Sequence, residues 1–431
     1  MVEFERSYRA SGLSGSFAGL LCLLTILYRR ARPHRDRLLT AVATLLGGIS
    51  AAFLIQSALS AAEWQGRSSF EYPSTPALRP STGEDLQRSS EAFVFQKTGW
   101  RKDSLMRLRD VLFGGPGRGF KGEDGRLYYA DEIFLVLLHH VTKGVHFDAC
   151  VDVFGGSLQK WSGAYKSLLA FIHNRFSRRL MFFEGAMSMF TDSLPTFNDA
   201  INNRMERKTG FIPRPGEDTI AGLLDTTWIA VPKSTLRNLA DGHFSLYRKS
   251  EGLKVLTPVW PDGMVGGIHM APGRASDCFQ ATDSDVSEVL HRMSVDVDGI
   301  GGVYSLYADQ IFARTGFIKT PNHVDGRNWS ANFLNHPPNL AYLNRLRLQD
   351  RAMKTIRVPV ENNYAGAKGG CHILNEKRKL QVGNSSTNQL VAFCFFLMNC
   401  KCCCEGNNVS MQFNLTPPVL EDYLEKLESI V

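Results

Sequence analysis

The 431-residue sequence predicts an α/β protein, a mixed sheet flanked by helices and preceded by an all-α region. Three observations predict it. Apolar runs of strand length at 219–231, 253–260, 264–270 and 302–309 are followed by helical patterns from 284 and from 340. A Pro261-Asp262-Gly263 turn separates two of those runs, as in a hairpin. Three carboxylates, Asp225, Asp309 and Glu361, lie within or just beyond such patterns, where an unpartnered acid is costly unless it binds something.

Composition sets the bounds. With 44% hydrophobic residues the chain can bury a sizeable core, and its length predicts two globular parts behind an N-terminal extension. The net charge of +7 suits a polyanionic partner, and it gathers around Glu361: residues 342–380 hold nine Lys and Arg against three acids. A solvated helix face and a phosphate-backbone contact are the two readings of that run. Nine cysteines, five of them at Cys394, Cys400, Cys402, Cys403 and Cys404, are an odd and clustered set that suggests a reducing compartment. They lack paired Cys-x-x-Cys spacing, so packing at the end of a buried helix is preferred to a zinc site.

In chain order, residues 1–63 form an apolar extension. Its uncharged stretches 11–28 and 38–62 flank Arg29, Arg30, Arg32, Arg35 and Arg37. The second stretch is long enough to span a bilayer; the alternative is a pair of helices outside any membrane. A secretory signal is disfavoured because the arginines follow the first apolar stretch. Residues 64–125 read as linker and loop, and the glycine-rich run Gly114–Gly125 lacks the Gly-Lys-Ser/Thr ending of a phosphate loop.

Residues 126–215 read as a helix-turn-helix-like domain: a helix over 131–141, a short one over 149–154, and a third capped by Ser157. The third offers Gln159, Lys160, Lys166, His173 and Arg175 as exposed candidates for DNA contact. A helical cap that only packs on the next domain is the alternative.

Residues 216–425 run strand, hairpin, helix, strand, helices. That is the order of an RNase H-like sheet, whose first and fourth strands adjoin and bring Asp225 to Asp309. Glu361 follows a basic helical pattern over 340–360 that offers Arg345, Arg351, Lys354 and Arg357 to phosphates. Pro359 removes a backbone donor two residues earlier, so Glu361 is expected at a helix start or break. Two strand-borne aspartates and a helix-borne glutamate suit two hard divalent cations, Mg2+ or Mn2+, one activating water and one stabilising a leaving oxygen. Asp277 reads as a turn cap first and as a further metal ligand second. His243, His269, His323 and His336 lack metal-ligand spacing.

These residues carry a resemblance. Asp225-Thr-Thr, Gly252-Leu-Lys254, Pro261-Asp-Gly263, Gly273-Arg-Ala-Ser-Asp277, Tyr307-Ala-Asp309 and Arg357-Val-Pro-Val-Glu361 stand in the order of the motifs of PIF/Harbinger-type transposases with a DDE endonuclease domain. The tail, with Asn399-Cys-Lys-Cys, Gly406-Asn-Asn and Pro417-Pro-Val-Leu-Glu-Asp-Tyr423, resembles fungal and oomycete members. The resemblance covers roughly residues 130 to 425 and implies a nuclear, metal-dependent DNA nuclease with Asp225, Asp309 and Glu361 as ligands. It implies DNA, a separate DNA-binding protein or a second copy of the chain as partners. Thr226 and Asn362-Asn363 depart from the family pattern. The alternative is a domesticated derivative without cleavage, DNA-binding or membrane-tethered.

Overall fold

The computed structural model describes residues 86–430, apart from 123–124, 215–218, 234–240, 299–303, 313–316, 323–335, 377–379 and 381–384. The membrane-length stretches 11–28 and 38–62 and His323 lie outside the described residues. Among the described residues no helix is long and apolar enough to cross a membrane. The described residues belong to one compact unit, Tyr72–Val431.

The helical region begins earlier than its linker-like composition suggests. α1 (Glu91–Thr98) is capped by Ser90, and α2 (Lys102–Phe113) buries Leu105, Leu108 and Leu112 at helical spacing. β1 (Gly119–Lys121) and β2 (Leu127–Tyr129) form a small antiparallel hairpin. Gly119 is needed there, because a Cβ would stand 2.2 Å from the Tyr128 carbonyl oxygen. The chain then forms α3 (Ala130–Lys143), α4 (Phe147–Phe154) and α5 (Leu158–Ile172), the last capped by Ser157 as expected. A π-helical turn, His173–Ser177, carries α5 into α6 (Arg178–Met181), followed by α7 (Phe183–Ser188) and α8 (Leu194–Thr209). Phe113, Phe120 and Phe171 stack at the centre of this part, with ring centroids 5.2–6.0 Å apart.

The sheet is built on β3 (Thr219–Ala230). β5 (Ser250–Val259) pairs with it antiparallel on one side, and β7 (Tyr304–Ala308) pairs parallel on the other. β8 (Ile318–Lys319) extends β7 in parallel, while β4 (Phe244–Ser245) and β6 (His269–Pro272) pair antiparallel with the outer side of β5. The order is therefore β6-β5-β3-β7-β8, with β3 central and buried, which is why its sequence is a continuous apolar run. α9 (Asp277–Asp283) and α10 (Val286–Asp298) lead from β6 to β7.

Four helices complete the unit. α11 (Pro337–Gly370) is one 34-residue helix with Pro359 inside it, which corrects the expected start or break at Glu361. The missing proline N–H leaves the Thr355 carbonyl without its intrahelical partner. The buried guanidinium of Arg204, on α8, donates to that oxygen from Nε and from Nη2, each at 3.2 Å. The same group donates to the backbone oxygen of Gln412 and to its side chain, tying α11 to α13 (Asn408–Phe413).

α12 (Ser385–Glu405) is apolar all round and buries Cys394, Cys400 and Cys402. Among the described residues no group of three or more His, Cys, Asp or Glu is arranged to hold a metal ion. Asn399 of α12 accepts from the Val265 N–H and donates to the Val265 oxygen and to Tyr423 of α14 (Leu420–Ser429). Asn407 caps α13 and donates to the Gly263 oxygen. The tail residues thus clasp the Pro261-Asp262-Gly263 turn, where Gly263 holds φ +89° and a Cβ would strike Asn407.

Candidate functional site

Parallel pairing of β3 with β7 sets the geometry. Leu224 is the register partner of Ala308, so Asp225 and Asp309, the latter just past the end of β7, follow side by side on adjacent strands spaced about 4.8 Å apart. Each carboxylate is held the same way: Thr226 N–H donates to Asp225 Oδ1 at 2.8 Å, and Gln310 N–H donates to Asp309 Oδ1 at 2.7 Å. Burial pushes the Asp225 carboxyl up to about 6; the Thr226 N–H and Arg357 pull it down, and the negative charges of Asp309 and Asp277 push it up again.

α11 supplies the third acid. One nitrogen of Arg357, Nη2, stands 3.0 Å from Asp309 Oδ2 and 3.4 Å from Glu361 Oε1. Asp309 and Glu361 are therefore joined through a guanidinium, and the Glu361 side chain remains 57% exposed. Arg357, expected as a phosphate contact, is engaged with the acids. Tyr364, one turn further on, donates from its hydroxyl to the Asp225 carbonyl oxygen at 2.7 Å and meets Thr257 Oγ1 at 2.5 Å. Lys368 donates to the Trp228 oxygen at 2.6 Å. These two bonds pin α11 along β3.

Asp277 is neither the cap nor a direct member of a three-acid group. Ser276 caps α9 by accepting from the Phe279 N–H, while Asp277 opens the helix and pairs with Lys254 of β5 at 2.8 Å. The motif glycines Gly252 and Gly273 touch through the Gly273 N–H to Gly252 oxygen bond of 2.9 Å, and the Trp228 ring leaves no room for a Cβ at either.

The site's donor chemistry fits a hard divalent cation in part. Asp225 and Asp309 form an adjacent pair of oxygen donors in surplus negative charge, which a cation would relieve. Glu361 reaches the pair only as far as Arg357, which fits a cation once that guanidinium lets go of Asp309.

The basic residues divide. Arg351 and Lys354 are exposed on α11, on the stripe that leads to Glu361. Arg345 lies over the Phe211 ring and donates to the Ile212 oxygen at 3.4 Å. On α5, Lys166 is exposed, whereas Lys160 pairs with Glu132 at 2.5 Å. His173 is buried against Ser177, which corrects its expected exposure. Arg175 pairs with Glu428 of α14, because the π-turn swings it away from the α5 face. Sequence reasoning missed Tyr364, Arg204 and the Lys254–Asp277 pair. Only the last had a signal, since both residues end resemblance motifs.

Comparison with protein-family models, curated proteins and solved structures finds no match to this chain.

Proposed function

We propose that this chain is a divalent-cation-dependent DNA endonuclease of the Harbinger transposase type, built on an RNase H-like sheet and acting in the nucleus. The observation that carries the reading is the pairing of two acids from distant segments: Asp225 and Asp309 stand side by side in parallel register, and Glu361 is joined to Asp309 through Arg357. Two further observations support it. The strand order has three antiparallel strands, the first of them flanked by a parallel fourth, as an RNase H-like sheet requires. The motifs behind the resemblance, far apart in sequence, converge on the acids and on the Pro261–Gly263 turn.

Asp225 and Asp309 would hold the cation, Mg2+ or Mn2+, with Glu361 completing the set; when bound it supplies Lewis acidity and an activated water for attack on a phosphodiester. The chain's own residues do the rest. Thr226 N–H and Gln310 N–H fix the two carboxylates, Tyr364 fixes the strand beneath Asp225, and Arg351 and Lys354 run phosphate contacts toward Glu361. Arg357, released from Asp309, is placed to meet the phosphate whose charge attracts it. α4 and α5, joined through Gly155-Gly156, are read as a helix-turn-helix unit with Lys166 toward DNA.

A second reading is a derivative that binds DNA without cutting it. The Arg357 bridge favours it, since a guanidinium already neutralises Asp309 and Glu361. Plasmid nicking in Mg2+, Mn2+ and EDTA separates the two. Nicking that needs the metal and is lost in Asp309→Asn supports the nuclease; DNA binding with no nicking in any metal supports the derivative.

A further inference from the structure

The sheet carries a second feature that the acids do not use. β4 and β5 pair through Phe244 with Glu251 and Ser245 with Ser250, which leaves Leu246, Tyr247, Arg248 and Lys249 as the tip of a hairpin. Leu246 is 85% and Tyr247 88% exposed, the two most exposed large apolar side chains among the described residues. An isolated exposed apolar residue needs no explanation, but two adjacent ones on a shaped tip beside two cations do.

The tip is held in shape. Lys249 occupies the left-handed region at φ 50°, and the Arg248 N–H donates to Ser245 Oγ at 3.3 Å. The Arg248 guanidinium stands 5.4 Å from the Tyr247 ring centre, and among the described residues neither Arg248 nor Lys249 pairs with an acid. Positive charge extends inward, since burial and then the charge of Arg248 hold the Lys368 amine below its usual range.

We propose that this hairpin tip is a DNA contact in which the Tyr247 ring stacks on an unpaired base while Arg248 and Lys249 hold the neighbouring phosphates. The chemistry fits one occupant: an aromatic face for a base, flanked by cations for the backbone. Location fits it too. β3 runs from Asp225 toward Ala230, which pairs with Gly252 at the foot of the hairpin. The tip, about ten residues along β5 from the level of Asp225, therefore lies on the order of 30 Å from it along the strand, about nine base pairs of a duplex. A nick or frayed end at that spacing offers the unpaired base that stacking requires. The inference rests on the nuclease reading and adds a contact to it.

The test uses the full chain and a nicked duplex with a short flap carrying 2-aminopurine, followed by anisotropy and by quenching of the probe. Tyr247→Ala is expected to lose about tenfold in affinity for flap DNA and most of the quenching, and less for intact duplex; Tyr247→Phe is expected to keep both. Arg248→Gln with Lys249→Gln should lower the slope of log affinity against log salt by about 1 to 2. All three variants should melt as the wild type does, because the substituted side chains face solvent. If the wild type binds DNA while Tyr247→Ala matches it in affinity and quenching, the hairpin proposal alone falls. If the wild type binds no DNA, the nuclease reading falls and the hairpin with it.

Discussion

Two desolvated aspartates sit at opposite fates in this molecule. Burial pushes Asp225 up to about 6 and Asp262 up to about 7. Asp262 is answered only locally, by the Met264 N–H at 3.0 Å and its own backbone, inside a turn clasped by Asn399 and Asn407. Asp225 has other charged groups about it: Asp309, Asp277 and Arg357, brought from a strand, a helix start and a long helix. Desolvation alone therefore does not mark a functional acid. The convergence of charges from distant segments is what sets Asp225 apart from Asp262.

The sharpest way to break that comparison is to remove each acid in turn. Asp225→Ala should cut metal-dependent nicking by on the order of 1000-fold or more while leaving DNA binding intact or slightly stronger at low salt. Asp262→Ala should destabilise the turn yet leave nicking by the folded protein within about tenfold. Equal losses in a plasmid-nicking time course would erase the distinction between the two.

The next effect concerns what holds Glu361 in line. Arg204→Ala orphans the Thr355 carbonyl and both Gln412 contacts, and should cost about 2–4 kcal/mol in a urea melt. Pro359→Ala restores the N–H that Thr355 lacks, so it should recover about 1 kcal/mol of that loss in the double variant. Strictly additive losses would show that Arg204 does not serve the proline.

A smaller effect follows from the raised carboxyl of Asp262. Its folded value lies above the unfolded one, so the wild type loses stability as pH rises from about 4 to about 7. Asp262→Asn keeps an acceptor for the Met264 N–H and carries no charge. Its stability relative to wild type should grow across that window and stay level above it. A pH-independent difference between the two thermal melts would contradict the burial of a charge at Asp262.

Smallest is the basic stripe of α11. Replacing Arg351 and Lys354 with Gln should lower the log–log salt slope of DNA binding by about 2, whereas the same change at Lys160, already paired with Glu132, should move it by less than 1. Equal slopes would unmake the division between exposed and engaged cations.

What the sequence made legible, and what it hid, follows the range of the interactions involved. The placement of Asp225 on a strand and of Asp309 at the end of one could be read because each belongs to an apolar run, and burial of a strand leaves a local trace. Ser157 could be read as a cap, and Pro261-Asp262-Gly263 as a turn, for the same reason. The continuity of α11 could not, because the group that excuses Pro359 is Arg204, some 150 residues upstream. Nor could the packing of α1 and α2, whose apolar positions are interleaved with charges and follow a stretch rich in Ser, Pro and Gly. The Arg357 bridge was hidden because a basic residue on a helix reads as a solvated charge or a phosphate contact until its partner, Asp309, arrives from the sheet.

The most direct test is where a cation goes. Crystals of the protein soaked in Mn2+ should show an anomalous peak at coordination distance from both Asp225 and Asp309, with Arg357 drawn off Asp309. A crystal without such a peak, in which Arg357 still holds Asp309 and Glu361 at saturating Mn2+, would contradict the assignment of these acids as a metal site.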